Sequence, residues 1–380
     1  MHSTALAVLS CLVFSLAGAT TLAGGTRPVV ADRGVVFEYP NDDPYDRHND
    51  YGFNHAPSLT RLADGRLLAA WFSGPFEASV HQVILGSYGS PDARNWQAGV
   101  VLNDQPRKSD FDPGFVTDGR RTWMFYSVGR WNRYPFVGGR GAEKTEVGID
   151  SFKTFVRYTD DSGRTWSDEQ RVGDHTGIGP RSNGIKLSSG ELILPLHHYQ
   201  LHQPHVLKSQ DGGKSWRRIE GPKPEEKVGA AEPCIAEGAS GKLLMVVRSR
   251  DGLLWTSEST DKGETWSPLL KTDLPAAASS HSLIRLSDGR LVLTHNPTQP
   301  PLRTSLTVRV SNDEGKTWAE PTEIASVPAP AENDEVYSRQ VAYPSAIEMP
   351  DGSAMIVWTE ISISPAHQSG KIHWARVRFE

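Results

Sequence analysis

Six tight turns punctuate the chain, and an apolar strand follows each of them. The turns are Leu62-Ala63-Asp64-Gly65, Val116-Thr117-Asp118-Gly119, Leu187-Ser188-Ser189-Gly190, Gly238-Ala239-Ser240-Gly241, Leu286-Ser287-Asp288-Gly289 and Met349-Pro350-Asp351-Gly352. Asp-Gly and Ser-Gly pairs supply the positive φ that a tight hairpin needs. Runs such as Leu67–Phe72, Leu192–Leu196, Leu243–Val247, Leu291–Thr294 and Met355–Trp358 are too short and too rich in β-formers for helices.

A second signal runs in step with the first. Thr159–Trp166, Ser209–Trp216, Ser259–Trp266 and Ser311–Trp318 all read Ser/Thr-x-Asp-x-Gly-x-Thr/Ser-Trp, and a decayed fifth copy ends at Asn95-Trp96. Their Trp residues step by 70, 50, 50 and 52 positions, a period typical of stacked or radial repeats. Each unit reads as strand, Gly turn, strand, loop, strand, Asp–Gly–Trp turn, strand. That is one four-stranded antiparallel blade, and six Gly turns predict an all-β, six-bladed β-propeller. The sixth unit ends at Lys371–Phe379 without an Asp–Gly–Trp turn, so the early strand Gly34–Tyr39 is expected to complete it. Closing the ring removes exposed sheet edges. The repeated Asp is assigned to its own turn, where it accepts backbone N–H bonds, and the Trp to packing between strands.

Composition narrows the setting. The chain has 380 residues and a net charge of −5, which argues against a general affinity for nucleic acid but leaves room for a local Arg cluster. Met1 to about Ala19 reads as a signal peptide: Ala5–Ala19 is apolar and Ala17-Gly18-Ala19 suits cleavage. A lipoprotein reading through Cys11 leaves almost no apolar region before the cysteine. The expected organisation is a signal peptide over 1–19 and a single propeller over 27–380, secreted or periplasmic and monomeric. No further apolar run is long enough to span a membrane. Cys234 stands alone after the signal, so no intrachain disulfide and no Cys pair for a metal is expected.

In a propeller the starts of the innermost strands meet at one end of the axis. Counting back nine residues from the hairpin glycines reaches Ala56 (beside His55), Arg181, Glu232, Ser280 and Tyr343; Asp112 lies seven before Gly119. Counting forward seven reaches Phe72, His197, Arg248 and Asn296. His55, Asp112, Arg181, His197, Glu232, Arg248 and Tyr343 are therefore expected around one pocket. The competing structural reading is a set of blade-to-blade ion pairs, since a buried charge is costly unless paired.

With these residues in view, the chain over roughly 50–378 resembles the sialidase (neuraminidase) superfamily, in particular bacterial sialidase-like proteins with Asp-box repeats. Ala231-Glu232-Pro233, followed by Arg248 in Val246-Val247-Arg248-Ser249, is similar to the family's Glu and second Arg. Arg303, before Leu306-Thr307-Val308, is similar to its third Arg, and Tyr343 in Ala342-Tyr343-Pro344-Ser345 to its nucleophilic Tyr. The resemblance implies an exo-acting hydrolase that cleaves a terminal acidic sugar with retention, without a cofactor or metal. Glu232 would be the base for Tyr343, and Arg248 and Arg303 would bind the substrate carboxylate. Two positions depart from the family pattern. His55, in Asn54-His55-Ala56-Pro57, stands where the first Arg is expected, so Arg181 is the candidate to restore that charge. The loop Ser73–Ser79 offers Glu77, not Asp, as general acid.

Several residues keep two readings. His197, with His55, His81 and His202, reads as a substrate contact or as core and surface histidines, and no HExxH spacing favours a metal. Asp110 and Asp112 read as substrate contacts or as caps on the strand entrance. The stretch Arg130–Asp150, with Trp131, Tyr134 and Phe136, reads as a wall of the sugar site or as a surface excursion. Two functions compete with the hydrolase: a polysaccharide lyase acting on uronate glycans, which also needs Arg with Tyr or His, and a carbohydrate-binding propeller without catalysis.

Overall fold

The structure is a computed structural model. It describes residues 27–39, 51–130, 151–225, 227–331, 338–364 and 367–380. The segment expected to be a signal peptide, and Trp131, Tyr134 and Phe136, lie outside the described residues. Among the described residues, all regular structure apart from short turns is β, in six antiparallel sheets. Each sheet is one blade, and in every blade but the sixth the strands follow chain order from the axis outward. Blade four is representative: Ala231–Glu237, Leu243–Arg248, Leu253–Ser259 and Leu270–Pro275 pair in sequence. All six hairpin glycines have positive φ, from 77° at Gly352 to 100° at Gly190, as the turn chemistry requires.

Blade six closes the ring. Its inner strands Arg339–Glu348, Ala354–Ser364 and His367–Phe379 take Pro28–Phe37 as their outer strand. The early strand thus begins before the expected Gly34 and runs antiparallel to the last one, with Pro28 opposite Phe379 and Gly34 opposite Trp374. Arg27 and Glu380 exchange backbone hydrogen bonds at 3.1 and 3.0 Å. Blade three departs from the four-strand pattern. Its innermost strand is split into Ile178–Pro180 and Ile185–Lys186, and the break carries Arg181.

The Asp–Gly–Trp turns join the third and outer strands, far from the inner strand starts. In blade four, Asp261 Oδ1 accepts the Thr265 N–H at 2.9 Å and the Ser259 hydroxyl at 2.7 Å, while Oδ2 accepts Thr265 Oγ1–H at 2.5 Å. Two successive residues are left-handed, Lys262 at 61° and Gly263 at 83°. The glycine is also needed for close approach: a Cβ at Gly213 would collide with Trp123 of the preceding blade. Each turn is thus a clasp on its neighbour, and Trp166, Trp216, Trp266 and Trp318 pack against buried apolar clusters.

Polar atoms stitch the inner strands together across the axis. Ser345 Oγ accepts Leu59 N–H at 3.1 Å, Ser282 Oγ accepts Ala346 N–H at 3.0 Å, and the Cys234 thiol donates to the His281 carbonyl at 2.9 Å. Asn183 accepts Phe115 N–H at 2.9 Å and donates to the Leu59 carbonyl at 2.7 Å. On the hairpin side of this girdle lies a cavity of about 390 Å³, lined by Thr117, Lys186, Glu237, Arg285 and Glu348 among others. None of the candidate site residues lines it.

If the Asp-box aspartates serve the turn alone, Asp261→Ala should cost about 1 kcal/mol for its lost hydrogen bonds. Chemical denaturation should show the loss, while glycan turnover or binding at the opposite part of the blade stays at the wild-type level.

Candidate functional site

The site begins with a backbone device repeated in four blades. Ala56, Asp112, Glu232 and Tyr343 all have left-handed φ, at 58°, 50°, 50° and 59°, and a proline follows each. Each sits in a bulge. Between Ala231 and Cys234 the inner strand advances three residues while its partner advances two, from Arg248 to Val246. The same count holds at His55/Ser58, Phe111/Gly114 and Ala342/Ser345. Proline has no N–H to leave unpaired, so it fits at a bulge. A left-handed conformation costs a non-glycine residue of the order of 1–3 kcal/mol, and such strain concentrates where function needs a side chain re-aimed.

The re-aimed side chains converge. Glu232 Oε1 accepts Arg248 Nη1–H at 2.7 Å and the Tyr343 hydroxyl at 3.2 Å, and Arg248 Nη1 lies 3.1 Å from the Tyr343 oxygen. Around the Tyr343 ring stand three further groups. The His55 ring centroid is 4.3 Å away, the Arg181 guanidinium carbon 4.7 Å and that of Arg303 5.3 Å. Arg303 is held by Gln340 Oε1 at 3.0 Å and the Ala278 carbonyl at 2.6 Å. Asn296 donates to the Val341 carbonyl at 2.7 Å and so anchors the strand that carries Tyr343.

A second wall comes from blades two and three. The Tyr199 hydroxyl lies 2.8 Å from Ser127 Oγ and 3.4 Å from Asp112 Oδ2, and the His197 and Tyr199 rings are 4.6 Å apart. Arg181 is 2% exposed and makes no ion pair within 4 Å among the described residues. It donates one long hydrogen bond, 3.4 Å, to the Tyr343 carbonyl, and its Nε has no partner. A buried guanidinium is costly unless compensated, so one this poorly compensated can accommodate an anion. Nδ1 of His55, Nδ1 of His197 and Oε2 of Glu232 are likewise buried without partners.

Burial and charge set the protonation states. Burial works to raise Glu232, but Arg248, His197 and Arg181 outweigh it and hold the carboxyl at about 2. Burial first, then the Glu232 charge, raises the Tyr343 phenol against the three arginines. Burial also drives His197 down to about 3 and holds His55 well below its ordinary value, helped there by Arg303 and Arg181. Both imidazoles are neutral at neutral pH. Asp112 goes the other way: burial, assisted by Glu232 and Glu77, lifts it to about 7 against the pull of Arg181.

Three of the four strained positions thus carry a phenol or a carboxyl into one pocket with three arginines, on a frame of Asp-box blades. The match to a family model described as a BNR repeat-like domain covers residues 65–356. The chain belongs to the BNR repeat-like family, within the sialidase-like superfamily. Among relatives, this BNR propeller is similar to a sialidase of Micromonospora viridifaciens, 27% identical over 82% of this chain and 53% of that one. It is also similar to an anhydrosialidase of Macrobdella decora, 26% identical over 58% of this chain and 33% of the relative. The chain spans about half the length of the first of these, 53%, and less of the second. The fold matches the NanB sialidase of Streptococcus pneumoniae at a TM-score of 0.71 and 15% identity, covering 91% of this chain and 70% of that one. A Dyadobacter fermentans protein of unknown function matches at 0.71 and 15%, covering 93% and 99%.

In this BNR propeller, His55, Asp112, Arg181, His197, Glu232, Arg248 and Tyr343 come together at the place the repeat spacing indicated, and Arg303, named only through the family resemblance, joins them beside the Tyr343 ring. Glu77 stands half-buried in the loop after Leu67–Gly74 and reaches the group through its charge on Asp112. Asp110 is turned away, its Oδ2 accepting from Asn103 at 2.8 Å, which supports the structural reading of that residue. His81 is exposed, and His202 sits on the rim against Arg250. No group of three or more His, Cys, Asp and Glu suited to a metal occurs among the described residues. Tyr199, two residues after His197, and Ser127 and Gln340 were missed by sequence reasoning, because their roles depend on contacts across blades.

Arg248→Met should leave Glu232 buried without its main partner and cost about 3 kcal/mol at pH 7. Glu232 has a folded pKa of about 2, below its unfolded value. The stability it lends is present above the unfolded pKa and is lost as pH falls toward 2. Urea unfolding from pH 7 down to pH 3 should therefore show the wild-type and Arg248→Met stabilities drawing together.

Proposed function

We propose that this protein is an exported sialidase-like glycoside hydrolase. It cleaves a terminal acidic sugar, sialic acid or a relative, with retention through an adduct on Tyr343. One observation carries the reading: a phenol hydrogen-bonded to a buried carboxylate, with three guanidiniums around it. A sugar whose anomeric carbon bears a carboxylate repels a carboxylate nucleophile, and a neutral phenol does not. Sialidases use such a Tyr nucleophile. Arg gives a carboxylate a planar, permanent and bidentate charge. Arg181, buried and poorly compensated, restores from blade three the charge that His55 does not supply from blade one.

Glu232 is a weak base at rest because Arg248 holds it ionised. A substrate carboxylate that engages Arg248 draws that support away and raises the basicity of Glu232. The phenol then loses its proton to Glu232 as its oxygen bonds to the anomeric carbon, and Arg181 and Arg303 steady the negative charge on the phenolate. His197 offers a neutral ring for the sugar's hydroxyl groups. Glu77, in the loop after the second strand of blade one, is the sequence-derived candidate for protonating the leaving group.

A second reading is a lyase for uronate glycans. It is favoured by the neutral His55 ring packed 4.3 Å from Tyr343, since such a pair suits abstraction of a C5 proton beside an Arg-bound carboxylate. Incubation with a fluorogenic sialoside should release the fluorophore, and Tyr343→Phe should lower kcat by about a thousandfold or more, as when a covalent nucleophile is lost. Ultraviolet absorbance from an unsaturated product on uronate polysaccharides, without sialoside cleavage, would establish the lyase instead.

A further inference from the structure

Asp112 has the same placement as Glu232 and Tyr343. It stands at a bulge in an inner strand, left-handed at 50°, with Pro113 behind it, and is 8% exposed. Glu77 has none of these constraints, being on a loop between strands. Chemistry that must be placed to within about 0.5 Å is better supported by a strand than by a loop.

The groups facing Asp112 are Tyr199 and Arg181 from blade three, Glu232 from blade four and Glu77 from the blade-one loop. Asp110, two residues earlier, bonds to Asn103 and belongs to the opposite face. The Tyr199 hydroxyl donates to Asp112 Oδ2 at 3.4 Å and lies 2.8 Å from Ser127 Oγ. Burial opposes ionisation of Asp112 most strongly, and the Glu232 and Glu77 charges add to it, against the pull of Arg181 and the Tyr199 hydrogen bond.

We propose that Asp112, rather than Glu77, delivers the proton to the leaving oxygen of the substrate. The proposal rests on the hydrolase reading of the site. As the Tyr343 oxygen bonds to the anomeric carbon, its proton goes to Glu232. The glycosidic C–O bond breaks, its electron pair stays on the leaving oxygen, and that oxygen takes the Asp112 proton. In the second half a water attacks the anomeric carbon and gives its proton to the Asp112 carboxylate. The Tyr343 C–O bond breaks, and the phenolate recovers its proton from Glu232. No oxidant or further reactant is needed.

The test uses the full chain as wild type, Asp112→Asn and Glu77→Gln, on an aryl sialoside and an alkyl sialoside. Asn tolerates a left-handed φ, so the fold should persist, and circular dichroism checks it. Loss of a general acid matters most for a poor leaving group. Asp112→Asn should lower kcat/KM on the alkyl sialoside by about 10²–10⁴-fold and on the aryl sialoside by less than about tenfold. The wild-type alkyl activity should fall above a midpoint near pH 7, and that limb should vanish in Asp112→Asn. A leaving-group-selective loss in Glu77→Gln, or equal losses on both substrates in Asp112→Asn, overturns the proposal. An infrared difference between wild type and Asp112→Asn at pH 6 should carry a protonated-carboxyl band. Absence of that band overturns the assignment by itself. Its presence with no sialoside cleaved by wild type overturns the hydrolase reading, and with it this role for the Asp112 acid.

Discussion

A left-handed residue followed by proline, set in a one-residue bulge, is the constraint on which the rest of the site depends. A regular strand alternates its side chains between the two faces of the blade, and neither face looks along the axis. The bulge breaks that alternation once, near the start of the inner strand, and turns one side chain toward the axial mouth. Blades two, four and six use the device for Asp112, Glu232 and Tyr343, whereas blade one spends it on Ala56 and presents His55 beside it. The strain is tolerated because the flanking strands are continuously paired and the polar girdle below fixes each inner strand against the next.

Electrostatics follow from this placement. Arg181, Arg248 and Arg303 bring three positive charges to a pocket where Glu232 is the strongly ionised carboxyl, and Asp112 is held near the midpoint of its titration at neutral pH. His55 and His197 are neutral. The pocket is therefore cationic within a chain whose net charge is −5. The overall charge reports on solubility and general partners, and the local excess reports on the ligand. A phenol in such a place is stabilised as an anion by the arginines even while burial and Glu232 resist its ionisation. That opposition keeps Tyr343 protonated at neutral pH.

The blade count, the hairpin turns and the clasp role of the Asp–Gly–Trp turns were legible in the chain because they rest on local chemistry. Asp261 bonds within six residues of itself, and Gly263 answers a local demand for positive φ. Glu232, Arg248 and Tyr343 were legible because a fixed repeat acts as a ruler. The extra residue of each bulge is common to blades one, two, four and six, so the spacing to the hairpin glycine stayed informative. The break in the blade-three strand was not legible, since Arg181 leaves the ladder at a point that only its neighbours define.

The sequence by itself determined the architecture, the phase of the blades and the set of residues facing one end of the axis, because turns and strand periodicity act over a few residues at a time. Tertiary structure decided what those residues are to one another. It buried Arg181 with its Nε unpartnered, set Asp112 apart from Asp110, and joined Tyr199 to Ser127 and Asp112. Those properties come from burial and from distances between different blades, and neither quantity exists until the ring has closed.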